Sequence, residues 1–291
     1  MNLKLFLDQI LNGIVLGSMY ALFASGLTLI WGTMKMLNFA HGEFYMLGGY
    51  ALYFALTLLD VPPLVAVLFA IGVTFLVGLI IERLVIHPLL DKPGWEVSPL
   101  VATVGISIFL QNFALKAWGE RYKNVPYFID GILDIFGFRI AYQRLLILAV
   151  AAMAIGALWW FLKKTRFGMA LRATAQDREA GMLIGINTHG IYMMTFGISS
   201  ALAALAATML APIFLINPWM GLSSLLKAFI VAVLGGLGSV EGAILAGIVL
   251  GLAESFAVII FSSEWKDVFS FVILILVLAI RPAGFFGKKE W

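Results

Sequence analysis

The 291-residue chain has no cysteine and little charge: Asp, Glu, Lys and Arg make up 12% of it, about half the share usual in a soluble domain. Without cysteine there are no disulfides, thiolate metal sites or thiol nucleophiles. The shortage of charge excludes large soluble domains, because 19 Lys and Arg with 16 Asp and Glu cannot cover the surface of 291 residues. Histidine is sparse as well. His41, His87 and His189 sit in separate segments, and no His-Glu-x-x-His pair or Gly-x-Ser-x-Gly elbow occurs, which disfavours an intramembrane enzyme. A phosphate-cradling Gly-x-x-x-x-Gly-Lys-Ser/Thr loop is also missing. Gly284-Phe285-Phe286-Gly287-Lys288 has the wrong spacing, so this sequence does not hydrolyse ATP alone. The net charge of +3 is spread over loops and gives no nucleic-acid-binding face.

What is present is apolar surface. Hydrophobic residues make up 62% of the chain and the mean hydropathy is +1.02, so its natural solvent is a bilayer. Crossing about 30 Å of hydrocarbon takes roughly 20 apolar residues. Runs of that kind fall near 9–31, 39–59, 62–82, 98–118, 144–162, 190–213, 221–239, 242–261 and 267–281. The expected fold is an all-α, polytopic helical bundle of about nine spans in a single transmembrane domain over 1–291. Residues 225–238 rise only about 21 Å as a helix and need the residues before them, or form a half-span, giving eight. The glycines and carboxylate of Gly235-Gly236-Leu237-Gly238-Ser239-Val240-Glu241-Gly242 read as a turn. The first apolar run is too long for a signal-peptide core, lacks a small-residue cleavage pattern and is expected to stay in the mature protein.

Loop charge sets the expected orientation. With the N-terminus outside, the inner side holds Lys35, Arg83, Lys92, Lys163, Lys164, Arg166, Arg172, Arg178, Arg281, Lys288 and Lys289, eleven of the 19 Lys and Arg. Lys163-Lys164-Thr165-Arg166 and Arg281 with Lys288-Lys289 abut span ends, where the rule weighs charge most. Residues 165–189 and the C-terminus are therefore expected in the cytoplasm. The 119–143 loop is expected outside, with a short hairpin around Gly137. It reads equally as a lid on the span ends and as a docking surface for an extracytoplasmic partner.

Intramembrane ionisable groups are few. Glu254 is the clearest, with Glu43 and Lys227 nearer span ends, and its cost in the bilayer requires it to face protein or water. A structural hydrogen bond to a neighbouring helix is one reading and a place on the translocation pathway the other. Gly13-x-x-x-Gly17 and Gly247-x-x-x-Gly251 each set two glycines one turn apart, suited to close helix approach within one chain. No internal repeat of a secondary carrier, and no filter or charge ring of a channel, is evident.

The longest polar stretch, Arg166 to Ser199, leads directly into an apolar run. Its part Ala170–Ala180 is rich in helix formers and predicts one short helix ended by Gly181 or Gly185. Such a helix is either a connector or a rigid knob seated in a motor protein. Glu179-Ala180-Gly181-Met182-Leu183-Ile184-Gly185 is similar to the Glu-Ala-Ala-x-x-x-Gly signature by which permease subunits of ABC importers contact their ATPases. Gly181 replaces the second Ala and the later Leu-Pro is missing. That departure suits the branched-chain amino acid permeases, whose version Arg172, Ala173, Ala175, Asp177, Leu183, Gly185, Ile186 and Asn187 match. The block Asn38–Gly48, the block Lys227-Ala228-Phe229 leading to Leu234–Ser239, and Arg281-Pro282-x-Gly284 also resemble that family.

The resemblance, from about residue 9 to 287, implies an importer subunit in a bacterial inner membrane. It implies a second homologous permease, two ATPases that bind the ATP, and a periplasmic or extracellular solute-binding protein as partners, with no cofactor in this chain. Arg172, Asp177, Glu179, Ala180 and Gly185 become ATPase-coupling residues, and Asn38, His41, Glu43 and Glu254 candidates for the translocation pathway. Because urea and short-amide relatives carry much the same motifs, the substrate is expected among Leu, Ile, Val, other amino acids, urea and amides.

Overall fold

The structure, a computed structural model, describes residues 3–90, 97–135, 138–262, 265–281 and 283–287. Lys92, Lys288 and Lys289 of the orientation argument, Gly137 of the hairpin and Pro282 of the C-terminal block lie outside these residues. The helices are α1 (Leu3–Met34), α2 (His41–Thr57), α3 (Pro63–Ile81), a π-helical turn (Glu82–Ile86), α4 (His87–Leu90) and α5 (Ser98–Trp118). After the strands β1 (Ile132–Ile135) and β2 (Phe138–Ala141) come α6 (Tyr142–Lys164), α7 (Arg166–Gln176), α8 (Arg178–Leu183), α9 (Thr188–Leu210), α10 (Met220–Gly235), α11 (Val240–Ile260) and α12 (Lys266–Ile280).

The all-helical membrane architecture agrees with the composition, but the span count differs. Six helices among the described residues are long and apolar enough to cross a bilayer: those over Lys4–Met34, Pro63–Leu90, Ser98–Trp118, Tyr142–Lys164, Thr188–Leu210 and Val240–Ile259. The expected second, seventh and ninth spans become α2, α10 and α12, of 17, 16 and 15 residues. The runs at 39–59 and 221–239 exceed α2 and α10 at their ends, where 39–40, 58–59 and 236–239 are not helical, and the run at 267–281 is as short as α12 itself.

Helix starts follow local chemistry. Pro62 and Pro63 open α3 with a preset φ. Asn187 caps α9 and Ser239 caps α11, their side-chain oxygens accepting from Gly190 N–H and Gly242 N–H at 3.0 Å each. The expected hairpin forms, antiparallel, with Asp134 opposite Arg139 and their charges 3.8 Å apart.

The chain divides into two compact units. Residues 1–28, 126–154 and 226–291 form the first, and 29–125 and 155–225 the second.

In the first unit, α1 and α11 cross on the two glycine pairs. A Cβ on Gly13 would lie 2.7 Å from Leu252 Cα, and one on Gly17 would lie 2.7 Å from Gly247 O. The two Gly-x-x-x-Gly motifs thus pack on each other within the chain. A Cβ on Gly247 would fall 2.6 Å from Ala21 N, which is backbone and cannot yield. Gly247→Leu is therefore expected to reduce correctly folded, detergent-extractable protein several-fold, read by size-exclusion chromatography. An unchanged yield would show that the crossing is not needed.

In the second unit, α2, α3 and α9 pack closely through small residues. A Cβ on Gly48 would meet Ala204 Cα at 2.5 Å, and one on Gly197 would meet the Phe75 ring at 2.7 Å. Most of α2 and α9 is buried, while α3 and α5 expose Leu64, Leu68, Leu76, Ile108 and Phe109, as lipid-facing helices do.

Candidate functional site

The start of α2 is polar, although it lies deep among apolar helices. After α1 ends, Lys35 takes φ 53 and the chain runs back into the unit over 35–40. Phe39 N–H donates to Thr103 Oγ1 at 3.2 Å, and Asn38 Oδ1 accepts from Ala40 N–H at 3.0 Å. His41 Nδ1 lies 3.3 Å from Ser199 Oγ, and Ser107 donates to Glu43 Oε1 at 3.1 Å. Ser199 is the midpoint of the 23-residue α9 and Ser107 is next to the midpoint of the 21-residue α5. The first turn of α2 is therefore level with the middle of two candidate spans.

The first turn of α10 reaches the same place. Gly42 and Gly221 meet backbone to backbone, and a Cβ on Gly221 would lie 2.8 Å from Gly42 O and 2.9 Å from Glu43 Oε2. α2 thus begins inside the unit, where irregular backbone is tolerated because protein encloses it, and α10 meets it by the buried Gly221 while Trp219 and Leu222 stay exposed. Asn38, His41 and Glu43 are all buried here. Asn38 Nδ2 and Glu43 Oε2 are buried without a hydrogen-bond partner.

Glu254 lies elsewhere, in the first unit, in a network that the sequence does not reveal. Lys227 of α10 pairs with its Oε1, lies 2.7 Å from Asp267 Oδ1 and donates to Ser270 Oγ at 3.0 Å. Ser270 donates to Glu254 Oε1, and Tyr20 OH donates to Oε2 at 2.9 Å. Both carboxylate oxygens and all three ammonium protons are engaged. The signal available in the sequence was the cost of Glu254 in the bilayer, which demands a partner without saying which.

The 165–189 segment is folded as two helices rather than the single one expected. Thr165 caps α7, its hydroxyl accepting from Gly168 N–H at 3.0 Å. Asp177 then leaves the helix at φ −153, ψ 113, and its Oδ1 accepts from Glu179 N–H at 2.9 Å and Ala180 N–H at 3.0 Å, starting α8. An aspartate competes with the backbone in this way, which is why it breaks a run of good helix formers. Arg172 donates to Leu162 O and ties α7 to the end of α6. Leu171 packs with Leu29 and Ile191, flanked by Phe167, Ile186 and Ile198.

The opposite side of the segment is bare. Glu179 and Ala180 are exposed, Gly185 turns at φ 85, and Leu183 and Ile184 are 88% and 75% exposed. Gly181 costs the signature nothing, since a Cβ there would meet no atom closer than 3.8 Å.

Two other distant pieces meet. Phe285 N–H donates to Leu234 O at 2.8 Å and Phe286 N–H to Gly235 O at 3.0 Å, so the C-terminal block closes the end of α10 beside the Gly235–Ser239 turn. His87 and His189, far apart in sequence, stack with ring centroids 4.1 Å apart, beside the buried Glu82 of the π-helical turn, 3.7 Å from His87 Nδ1.

The family model described as "Branched-chain amino acid transport system / permease component" matches residues 9–278. This chain belongs to that family. The permease is 41% identical to the high-affinity branched-chain amino acid transport system permease protein BraD of Pseudomonas aeruginosa, covering 98% of this chain and 97% of BraD. It is 39% identical to the corresponding protein LivH of Escherichia coli K12, covering 98% and 96%. Among solved structures, PsaBC from Streptococcus pneumoniae in complex with Fab superposes with a TM-score of 0.51 at 11% identity, covering 96% of this chain and 92% of that one, a likeness of fold. The family is a transport component, not an enzyme, and the permease is a multi-pass membrane protein by its apolar helices.

Proposed function

We propose that the permease carries branched-chain amino acids through a bacterial inner membrane as one half of an ABC importer driven by separate ATPases. The observation that supports this most is the likeness to BraD and LivH along nearly the whole of all three chains. The partners are a second homologous permease, two ATPases that supply the ATP, and a solute-binding protein outside. The 165–189 segment receives the ATPase through Glu179, Ala180 and the exposed Leu183–Gly185 tip. Arg172 and Asp177 hold that tip in shape, and the 119–143 hairpin faces the binding protein.

The chain crosses the membrane nine times in this reading, by α1, α2, α3, α5, α6, α9, α10, α11 and α12, with the N-terminus outside and the C-terminus in the cytoplasm. The short α2 and α10 need not cover the full thickness as helix, because 35–40 and 211–219 supply the rest inside the protein. Asn38, His41 and Glu43 border the pathway. Glu254, also a pathway candidate by its chemistry, acts in this reading as the anchor of α10, α11 and α12.

The test is reconstitution of the permease with its second permease, ATPases and binding protein in proteoliposomes, comparing labelled leucine with urea. ATP-dependent leucine uptake at several times the urea rate is expected. Uptake of urea alone would transfer the permease to the amide branch, and uptake without ATPases would make it a stand-alone carrier.

A further inference from the structure

Three carboxylates are buried among the described residues: Glu82 of the π-helical turn, beside His87, and Glu43 and Glu254, whose surroundings differ in kind. Glu254 has an ammonium, a hydroxyl and a phenol on its two oxygens. Glu43 is 1% exposed, holds Ser107 on Oε1 and has no hydrogen-bond partner on Oε2. No cationic side chain pairs with it among the described residues. The first turn of α10 faces it at Gly221, and the positive end of that helix offsets part of its charge. When ionised, the Glu43 carboxylate has no counter-ion in a place where such charges are costly, and a cation from outside the chain would offset that cost.

The complementary group sits just before the first turn of α2. Asn38, three residues ahead of His41, the first residue of α2, uses its amide oxygen on Ala40 N–H and leaves Nδ2, also buried, without a partner. The dipole of α2 favours an anion at this end. An unfilled anionic acceptor and an unfilled donor by a positive helix end are the complement of one ligand class, a zwitterion with ammonium and carboxylate on one carbon. Gly221 contributes by absence, since a methyl there would lie 2.9 Å from the free Oε2. At the Gly42–Gly221 contact the two backbones meet directly, with the Leu225 and Glu43 side chains beside it.

We propose that Glu43 receives the α-ammonium of the transported amino acid where α2 and α10 cross, while Asn38 Nδ2 and the first turn of α2 receive its α-carboxylate. This rests on the amino-acid import proposed above. The site is occluded in this structure and is engaged when the crossing opens.

The test uses the whole reconstituted importer, reading labelled leucine uptake and ATP hydrolysis on the same vesicles. Glu43→Gln, nearly isosteric, removes the charge, and leucine uptake is expected to fall about tenfold or more, the scale of one charge-assisted hydrogen bond. Hydrolysis stimulated by loaded binding protein is expected to persist. Glu43→Asp keeps the charge and is expected to retain a large part of uptake. Asn38→Asp keeps the bond to Ala40 but repels a carboxylate, and is expected to lose uptake like Glu43→Gln.

Wild-type uptake in both Glu43→Gln and Asn38→Asp overturns the inference while leaving the importer assignment intact. Uptake and hydrolysis falling together, with Glu43→Asp no better than Glu43→Gln, overturns it in favour of a structural carboxylate only. A wild-type importer that moves urea and not leucine overturns the substrate reading and this inference together, and is recognised before any variant is made.

Discussion

Lys227→Met is expected to remove most of the correctly folded permease from detergent extracts, and Lys227→Met combined with Glu254→Gln to restore much of it. The single change strands Glu254, 1% exposed, as a buried charge with only hydroxyl partners. Breaking a buried pair from one side costs about 3–5 kcal/mol, a large part of a total stability of about 5–15 kcal/mol. The double change leaves no charge to strand. A glutamine at 254 accepts with its oxygen from one of Ser270 and Tyr20, which donate to separate carboxylate oxygens now, and donates from its amide nitrogen to the other hydroxyl. Neutral replacement of both members of a buried pair is often close to harmless. Asp267→Asn is expected to matter far less, because the Asp267 side chain is 65% exposed and exposed pairs contribute about 0–1 kcal/mol. The measurement is the monodisperse peak on size-exclusion chromatography at equal expression. Equal losses in the single and double variants would show that the network works by packing and not by charge.

The features that could be read in the sequence were those carried by local rules. Six long apolar runs became six long helices, the 132–140 segment became a hairpin, and the two glycine motifs became one helix crossing. The short helices were harder, because hydropathy does not distinguish an apolar helix from apolar irregular backbone enclosed by protein. Residues 39–40 and 58–59 therefore merged with α2, and 236–239 with α10, into apparent full spans. Asp177 was visible as a polar residue in a helical run, but its turn to capping α8 depends on two backbone N–H groups that the pattern does not show. Asn38, His41 and Glu43 could be picked out as polar residues at the head of an apolar run. The Ser199 beside His41 comes from 158 positions away, the Ser107 on Glu43 and the Thr103 that accepts from Phe39 N–H each from 64, and nothing local links them. Lys227 and Glu254 show the same limit. Each looked like a lone charge in a span, and only the packing of α10 on α11 makes them a pair.

Leu183→Asp combined with Ile184→Asp is expected to abolish ATP-dependent uptake while the permease itself folds normally. The two side chains are 88% and 75% exposed, at the end of α8, whose Gly181 is buried and which follows α7, held by Leu171 against Ile191 and Leu29. Nothing in the fold needs them, so their apolar surface is available to a partner. Burying each contributes about 1.5–3 kcal/mol, so losing both weakens docking by about two orders of magnitude or more. Co-purification of the ATPases should fall with uptake. Arg172→Ala is expected to behave differently, because Arg172 bonds Leu162 O and joins α7 to the end of α6. Here the ATPases stay bound and hydrolyse ATP, but less leucine enters per ATP, since the tip moves without carrying α6 along. Glu179→Ala, altering the exposed first turn of α8, should also uncouple uptake without affecting insertion. The two kinds of loss separate seating the motor from transmitting its motion. Normal uptake in the tip variant, or in both Arg172→Ala and Glu179→Ala, would mean that the motor acts through another surface.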